Sequence, residues 1–132
     1  ETIINDFSFT GDLNWTSEAV ENIIKNCIEH TADNGKLNIE TGITNIFSYI
    51  KIRDNGCGIK KKDLPHIFER FYQGENSSKE SVGIGLALAK TIVENQGGTI
   101  DVTSEENVGT EFIIKFNKMV VWRICNIKVT LM

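Results

Sequence analysis

The sequence predicts a two-layer α/β sandwich, in the α+β arrangement, with helices packed on one face of a mixed, mostly antiparallel sheet. Two segments carry apolar side chains at helical spacing, and four others alternate apolar and polar residues in pairs joined by turns. The composition agrees, because 132 residues with 40% hydrophobic and 24% charged side chains are typical of one globular domain with its own core.

The charge and the cysteine content narrow the range of functions. Fourteen basic and eighteen acidic side chains leave a net charge of −4 without a basic block, which argues against binding to nucleic acid. The three cysteines, Cys27, Cys57 and Cys125, are widely spaced, so neither a disulfide framework nor a CxxC metal site is expected. A reducing, cytoplasmic location is the simpler interpretation.

The ends and the hydropathy of the chain indicate a domain taken from a larger protein. No apolar run approaches the ~20 residues that a membrane helix needs, and the start does not resemble a signal peptide. The chain starts at Glu1 rather than at a methionine. We therefore expect a soluble piece of a longer protein, whose membrane segments would lie outside this sequence.

The first helix is predicted over residues 16–31, with Thr16 or Ser17 as its N-cap. Its apolar side chains share one buried stripe: Val20, Ile23, Ile24, Cys27 and Ile28. Three polar residues follow at i, i+4 and i+7, within roughly 40° of one another: Asn22, Asn26 and Glu29. The helix therefore presents a polar ridge beside its buried stripe.

The next two strands are predicted to place a carboxylate on the apolar face of the sheet. The first alternates at Leu37, Ile39 and Thr41, and the second has Ser48, Ile50, Ile52 and Asp54 in one parity. Together they predict a hairpin. Asp54 then lies on the same face as Ile50 and Ile52, where a carboxylate is poorly hydrated and requires a donor.

The second half of the chain predicts a long loop, a helix and a final hairpin. Residues 60–82 change from lysine-rich to aromatic to Gly/Asn/Ser-rich, which predicts a mobile loop with a short helix in it. A second amphipathic helix is expected to begin at residues 83–85 and to end at Gly97 and Gly98. Two last strands flank a turn at residues 107–110.

Five motifs occur in a fixed order between residues 22 and 112. They are Asn26 on the first helix, DxGxG at 54–58, Phe-Glu-Arg-Phe-Tyr at 68–72, GxGL at 83–86 and Gly-Thr at 109–110. As a set they resemble the N, G1, F, G2 and G3 boxes of the histidine-kinase catalytic domain. The wider superfamily includes gyrase, the heat-shock protein of ninety kilodaltons and mismatch-repair ATPases. The resemblance implies the Bergerat ATP-binding fold, use of ATP and Mg²⁺, and phosphoryl transfer to a histidine.

The resemblance also implies roles for individual residues. It implies catalytic roles for Asn26 and Arg70, with Asn26 as the magnesium ligand. It implies nucleotide-binding roles for Asn22, Asn26, His30, Asp54, Gly56, Gly58, Ile59, Phe71, Tyr72, Gly83, Ile84, Gly85, Leu86 and Thr110.

The residue types suit these roles. Mg²⁺ takes oxygen ligands and keeps several waters, so the amide oxygen of Asn26 beside the ATP phosphates is a suitable ligand. Asp54 can accept a hydrogen bond from the exocyclic amine of adenine, which would select adenine over guanine. The alternative for Asp54 is an Asx turn before Asn55 and Gly56. Gly56 and Gly58 are expected to take positive φ and to let the backbone approach a flat base.

The remaining features leave alternatives open. Backbone N–H groups of residues 81–86 and a helix N-terminus can hold phosphates, and the missing Walker lysine excludes a P-loop enzyme. His30 either stacks on adenine or is a cation at the helix end. Arg70 either contacts phosphate or is a solvated surface residue. Three aromatic residues are expected to anchor the loop on the core: Phe68, Phe71 and Tyr72.

Asn22 favours one branch of the superfamily. Its water-activating ATPases and serine kinases have a glutamate general base at this position, whereas an amide takes no proton at neutral pH. A neutral imidazole needs little help from a base, so a histidine acceptor is favoured over water or serine. Glu29 departs from the family's common lysine, which leaves a phosphate contact to Lys25, Arg70, a loop lysine or no residue.

The resemblance implies the surroundings of this domain as well. We expect the acceptor histidine on a dimerising helical hairpin that precedes Glu1, a homodimeric and membrane-bound parent, and a response regulator that receives the phosphoryl group. The catalytic domain is predicted over residues 1–118, and the tail over 119–132 is an added strand, a partner-contacting segment or a cloning remnant. Two rival functions are a nucleotide-binding regulatory module without turnover and a hydrolytic ATPase.

Overall fold

A computed structural model describes residues 2–3, 8–9, 11–74, 83–117 and 127–128. Its two α-helices are α1, Leu13–Glu29, and α2, Gly85–Asn95, and a short 3₁₀ helix spans Leu64–His66. The strands are β1 Thr2–Ile3, β2 Ser8–Phe9, β3 Leu37–Ile43, β4 Phe47–Asp54, β5 Gly98–Glu105, β6 Gly109–Asn117 and β7 Ile127–Lys128. Among these residues, no helix combines the length and the apolar character that crossing a bilayer requires.

Five strands form one sheet in the order β1-β3-β4-β6-β5. Strand β1 runs parallel to β3, and the other three neighbouring pairs are antiparallel. This arrangement confirms the predicted mixed, mostly antiparallel sheet with its two hairpins. Strands β2 and β7 form a separate antiparallel pair, in which Ser8 lies opposite Lys128.

The core lies between one face of this sheet and the two helices. The predicted parity of β4 is confirmed, because Ser48, Ile50, Ile52 and Asp54 are all buried. The cluster at the centre of the core combines residues of both layers, including Ala19, Ile23, Cys27, Ile50, Ile52, Ala89, Val93, Phe112 and Ile114. Asp54 is therefore a carboxylate at the buried end of an otherwise apolar strand face.

Helix α1 begins three residues before its predicted start. Asp12 is the N-cap, and its side chain accepts a hydrogen bond from the Trp15 N–H at 2.9 Å. The expectation that Thr16 or Ser17 caps the helix is wrong, since Thr16 is buried within it and its N–H bonds to the Asp12 carbonyl at 3.0 Å. The aspartate side chain at the cap satisfies an otherwise unpaired N–H group of the first turn.

The loop after β4 contains the predicted short helix, and its aromatic residues differ in their packing. Phe68 packs edge-on against Phe112 of the core, with ring centroids 6.4 Å apart. Phe71, expected to anchor the loop, is instead 69% exposed, and its backbone takes the left-handed conformation with φ of 62°. Its N–H bonds to the Gly83 carbonyl at 2.9 Å, which ties the loop to the segment before α2. Residues 75–82 of the predicted loop lie outside the described residues.

Candidate functional site

A cavity of about 290 Å³ lies between α1, the loop after β4 and the start of α2. Helix α1 contributes Asn22, Lys25, Asn26, Glu29 and His30. The loop contributes Gly58, Ile59, Lys60, Asp63, Ile67, Tyr72 and Gly74, and the start of α2 contributes Gly83, Ile84, Gly85 and Leu86. The cavity therefore brings together residues of four of the five sequence motifs.

The polar ridge of α1 forms one wall of this cavity, as its helical spacing predicts. Among the described residues, two buried polar atoms on this wall have no hydrogen-bond partner: Nδ2 of Asn22 and Nδ1 of His30. A buried donor or acceptor without a partner costs about 1–3 kcal/mol, so a ligand that supplies the partner is favoured. The wall is therefore suited to a polar molecule.

An adjoining wall of the cavity is the N-terminus of α2. Its N-cap residue Ile84 makes no side-chain capping bond, so the N-cap side chain does not satisfy the first N–H groups of the helix. Gly83 has φ of 75°, and a Cβ built on Gly85 would lie 3.6 Å from Oδ1 of Asn22. An uncapped helix N-terminus attracts anions through its N–H groups and its dipole. Ser81 and Val82 of the predicted phosphate loop lie outside the described residues.

Asp54 is 3% exposed at the end of β4, and it does not line the cavity itself. Its Oδ1 accepts the Gly56 N–H at 2.8 Å, which is the Asx turn that was the alternative to adenine binding. The Cys27 thiol of α1 also hydrogen-bonds to this carboxylate. A carboxylate has about four acceptor positions, so these two donors leave capacity for a ligand amine.

The two glycines after Asp54 serve close backbone packing. Gly58 has the expected positive φ, 72°, but Gly56 does not, so that part of the prediction is wrong. A Cβ on Gly56 would collide with the His30 carbonyl, and one on Gly58 with the Glu105 carbonyl. The Cys57 N–H donates to that same His30 carbonyl at 3.1 Å, so the glycine turn is fastened to the end of α1.

Ser104, which the sequence analysis did not single out, connects three parts of the site. Its Oγ accepts the Ile59 N–H at 2.8 Å and lies 2.9 Å from Oγ1 of Thr110. Thr110 is buried opposite Asp54 across β4 and β6, and it does not line the cavity. Thr110 is therefore connected to Ile59, a residue of the cavity wall, through Ser104.

The charges around the cavity are mixed. Lys25 and Lys60 line it together with Glu29 and Asp63, whereas Arg70 is exposed and does not line it. Among the described residues that line the cavity, the cationic side chains are Lys25 and the loop residue Lys60. Within the described ranges, no group of three or more His, Cys, Asp or Glu residues could hold a metal ion on its own. A metal here would need ligands from the bound molecule, in addition to an amide such as that of Asn26.

Cys27 provides a pH test of the environment beneath the cavity. Burial, and then the charge and hydrogen bond of Asp54, raise the pKa of the Cys27 thiol far above its usual value of about 8.5. The folded state therefore holds this proton more tightly than the unfolded chain does. The stabilisation is complete below about pH 8.5 and is lost as the pH rises above it, by about 1.4 kcal/mol per pH unit.

We expect urea unfolding between pH 8 and 10 to show this loss for the natural chain. The Cys27→Ala variant, which lacks the titrating group, should be less stable at pH 8 but should lose less stability up to pH 10. Identical slopes in the two proteins would mean that the Cys27 thiol does not differ between the folded and unfolded states.

Comparison with known protein families places the chain among ATPases. The family model described as histidine kinase-, DNA gyrase B- and HSP90-like ATPase matches residues 11–119. Sensor histidine kinase YvrG of Bacillus subtilis is 34% identical over 112 residues, which are 83% of this chain and 19% of that protein. Signal transduction histidine-protein kinase ArlS of Staphylococcus aureus is 38% identical over 96 residues, which are 70% of this chain and 21% of that protein. The chain thus spans about a fifth of the length of these curated relatives.

Solved structures show the same fold. A mycobacterial sensor histidine kinase, MprB, matches with a TM-score of 0.81 and 25% identity, over 89% of this chain and 81% of the other. The catalytic domain of histidine kinase ThkA matches with a TM-score of 0.75 and 26% identity, over 89% of this chain and 76% of the other. These likenesses agree with the two-layer architecture.

Proposed function

The chain belongs to the family of histidine kinase-, DNA gyrase B- and HSP90-like ATPases, as an ATP-binding catalytic domain of the sensor histidine kinase type, and we propose that it transfers the γ-phosphoryl group of ATP to a histidine on a separate domain. One observation carries this proposal: the amides of Asn22 and Asn26 line the same cavity as the uncapped N-terminus of α2. Amides on one wall and helix N–H groups on the other suit a metal-bound triphosphate.

Asn26 is the residue that would hold Mg²⁺, through its amide oxygen. One neutral ligand is sufficient where the nucleotide phosphates supply the remaining charge and oxygen atoms. The ion would neutralise charge on the phosphates during transfer. The residues present fit this requirement. Asn26 has one carboxylate beside it on the ridge, that of Glu29. The described residues include no group of three or more His, Cys, Asp or Glu side chains that could hold a metal ion without the nucleotide.

The rest of the cavity would bind and orient the nucleotide. The N–H groups at the start of α2 receive the phosphates, and Lys25 and Lys60 offer cationic contacts. Nδ1 of His30, which has no hydrogen-bond partner among the described residues, would bond to the nucleoside end of the ligand. Asp54 would accept a hydrogen bond from the adenine amine. Phosphoryl transfer depends mostly on such positioning and charge neutralisation.

Asn22 supports a histidine acceptor. An activated water or serine needs a general base near the γ-phosphate, and the amide of Asn22 cannot take a proton. Neutral imidazole attacks with its free lone pair and needs no such base. His66 is paired with Glu69 at 2.8 Å, and His30 is part of the cavity wall, so neither is proposed as the acceptor.

The acceptor domain is proposed to dock on an apolar rim formed by Phe71, Ile84 and Leu88. These apolar side chains are 69%, 46% and 39% exposed, and they belong to the two segments that border the polar cavity, the loop and the start of α2. The Phe71 N–H donates a hydrogen bond to the Gly83 carbonyl, and Ile84 and Leu88 lie one turn apart at the start of α2. The rim therefore borders the end of the cavity where the phosphates would lie.

We expect Leu88→Glu to lower phosphoryl transfer about tenfold while leaving the Kd for ATP unchanged, because a charge disrupts an apolar contact outside the cavity. Ile46→Glu, at an apolar residue of the β3–β4 turn that is 63% exposed, is the control and should transfer normally. Equal losses in both variants, or no loss in Leu88→Glu, would contradict docking at the rim. The measurement is single-turnover transfer at saturating ATP and at an acceptor concentration well below saturation, where the rate reports docking.

The test of the proposed reaction is transfer in trans. The chain is incubated with γ-labelled ATP, Mg²⁺ and the histidine-bearing hairpin domain of the parent kinase, and labelled protein is treated with acid and with alkali. The proposal predicts label on the hairpin that is lost in acid and kept in alkali, as a phosphohistidine is. The same hairpin with its histidine replaced by alanine is the control.

Two rival functions predict other results. A hydrolytic ATPase would release inorganic phosphate steadily from the chain alone, and we expect almost none. A regulatory module would bind ATP without labelling the hairpin, and that result would overturn the proposal. For the whole protein we propose a homodimeric, membrane-bound sensor kinase that passes the phosphoryl group to an aspartate of a response regulator. The relatives' names, sensor histidine kinase and signal transduction histidine-protein kinase, support the kinase part of this proposal.

A further inference from the structure

The most distinctive group of the cavity outside the five motifs is Asp63. Its side chain lies in the wall of the cavity, but the residue is only 5% exposed. A carboxylate in this position is unexpected, because the proposed ligand carries several negative charges of its own. Burial of a charge is tolerated when hydrogen bonds engage it, so the contacts of Asp63 indicate its purpose.

The Asp63 carboxylate lies against two later residues of the loop, Tyr72 and Gly74. Its Oδ1 accepts a hydrogen bond from the Tyr72 hydroxyl at 2.5 Å. Its Oδ2 lies beside Gly74, where a Cβ on the glycine would come within 3.1 Å of it. Tyr72 and Gly74 both line the cavity, nine and eleven positions after Asp63. The carboxylate therefore joins the first residues of the loop to the residues that complete this wall.

Other contacts fix the Tyr72 ring from its second side. His66 lies against it, with ring centroids 5.2 Å apart, and His66 is itself held by Glu69 at 2.8 Å. The backbone turn is closed by the Tyr72 N–H, which donates to the Glu69 carbonyl at 3.4 Å. The Tyr72 side chain is thus held at its hydroxyl by the Asp63 carboxylate and at its ring by the His66 ring.

We propose that Asp63 is a positioning residue for nucleotide binding, which acts through Tyr72 by fixing that side chain in the wall of the cavity. The inference rests on the proposed ATP site and adds a residue to it. The Tyr72 hydroxyl donates a hydrogen bond to the Asp63 carboxylate, so the hydroxyl points into the loop. The apolar face of Tyr72 then contributes to the surface that meets the nucleotide.

The test is a double-mutant cycle on the Kd for Mg·ATP. Tyr72→Phe keeps the ring and removes the hydroxyl, and Asp63→Ala removes the carboxylate. Each is expected to weaken binding about threefold to tenfold, the range of one hydrogen bond. Because both substitutions remove the same hydrogen bond, the double variant should bind Mg·ATP no more weakly than the single variant with the higher Kd. The proposal would be overturned if the losses of affinity in the two single variants multiplied in the double variant, or if Tyr72→Phe left the Kd unchanged.

Two further variants separate positioning from folding. Asp63→Asn keeps an oxygen that can accept from the tyrosine, so it should restore a Kd within about threefold of the natural chain. Tyr49→Phe removes a matched tyrosine–carboxylate bond, Tyr49 to Glu40 at 3.0 Å, from residues that do not line the cavity, and should leave the Kd unchanged. An effect of Tyr49→Phe equal to that of Tyr72→Phe would show a general loss of stability and overturn the proposal.

Kinetics give a second readout. In the transfer assay, Tyr72→Phe should raise the KM for ATP and leave kcat within about twofold, since the reacting groups are untouched. If the natural chain binds Mg·ATP but transfers nothing, the proposed reaction fails while the binding cycle still tests Asp63. If the natural chain does not bind Mg·ATP, the proposed function itself has failed.

Discussion

Asn26→Ala is expected to lower phosphoryl transfer at least about a hundredfold, because it removes the protein's proposed ligand to the metal and leaves transition-state charge uncompensated. The loss should appear only with Mg²⁺ present. Without the metal, the variant should bind ATP as well as the natural chain does, whereas added Mg²⁺ should improve binding in the natural chain alone. Calorimetric titrations with and without Mg²⁺ measure this difference.

A matched control for Asn26 is available on the same helix. Asn14 lies exposed in the first turn of α1, outside the cavity, so Asn14→Ala should transfer and bind normally. An Asn26→Ala variant that keeps the Mg²⁺ dependence of the natural chain would contradict the assignment of the metal ligand. It would leave the helix N-terminus as the main phosphate contact.

Asp54→Asn is expected to weaken ATP binding about tenfold to a hundredfold, the value of a hydrogen bond to a charged group. The asparagine oxygen can still accept the Gly56 N–H, so the Asx turn is retained. Its amide N–H can donate to the carbonyl oxygen of guanine, which the aspartate would repel. GTP binding should therefore not fall, and the preference for ATP over GTP should shrink or reverse.

Competition titrations with the two nucleotides measure this preference. Asp101→Asn is the control, because Asp101 is an exposed carboxylate of the same sheet, paired with Lys115 at 3.5 Å. It should leave both affinities unchanged. If Asp54→Asn weakened ATP and GTP equally, Asp54 would be a structural turn residue, as its bond to Gly56 and its position outside the cavity wall would then suggest.

The sheet and helices could be predicted because their signals are periodic. Alternation along β4 gave the burial of Ile50, Ile52 and Asp54, and helical spacing placed Asn22 and Asn26 on one wall. These patterns depend only on which side of an element meets the core. The helix start was misplaced because several residues near it are capable caps, and tertiary packing buries the threonine that was chosen.

The loop contacts could not be predicted, because they depend on non-periodic tertiary geometry. Phe71 was expected to pack on the core for its apolar character, but it is exposed at a left-handed backbone position that its residue type does not predict. Asp63, before Leu64 and Pro65, has the sequence pattern of a helix cap, yet it makes no side-chain capping bond and binds Tyr72 instead. Ser104 lay on a strand with no motif, and only the fold brings it to Ile59 and Thr110.

The central claim is that the cavity between α1 and the start of α2 binds a metal-bound adenine nucleotide, and calorimetric titration of the natural chain with Mg·ATP tests it most directly. We predict saturable binding of one nucleotide per chain, weakened by Asn26→Ala and by Asp54→Asn and unaffected by Asn14→Ala. A titration without heat at several temperatures, or affinities that none of these substitutions changes, would contradict the account.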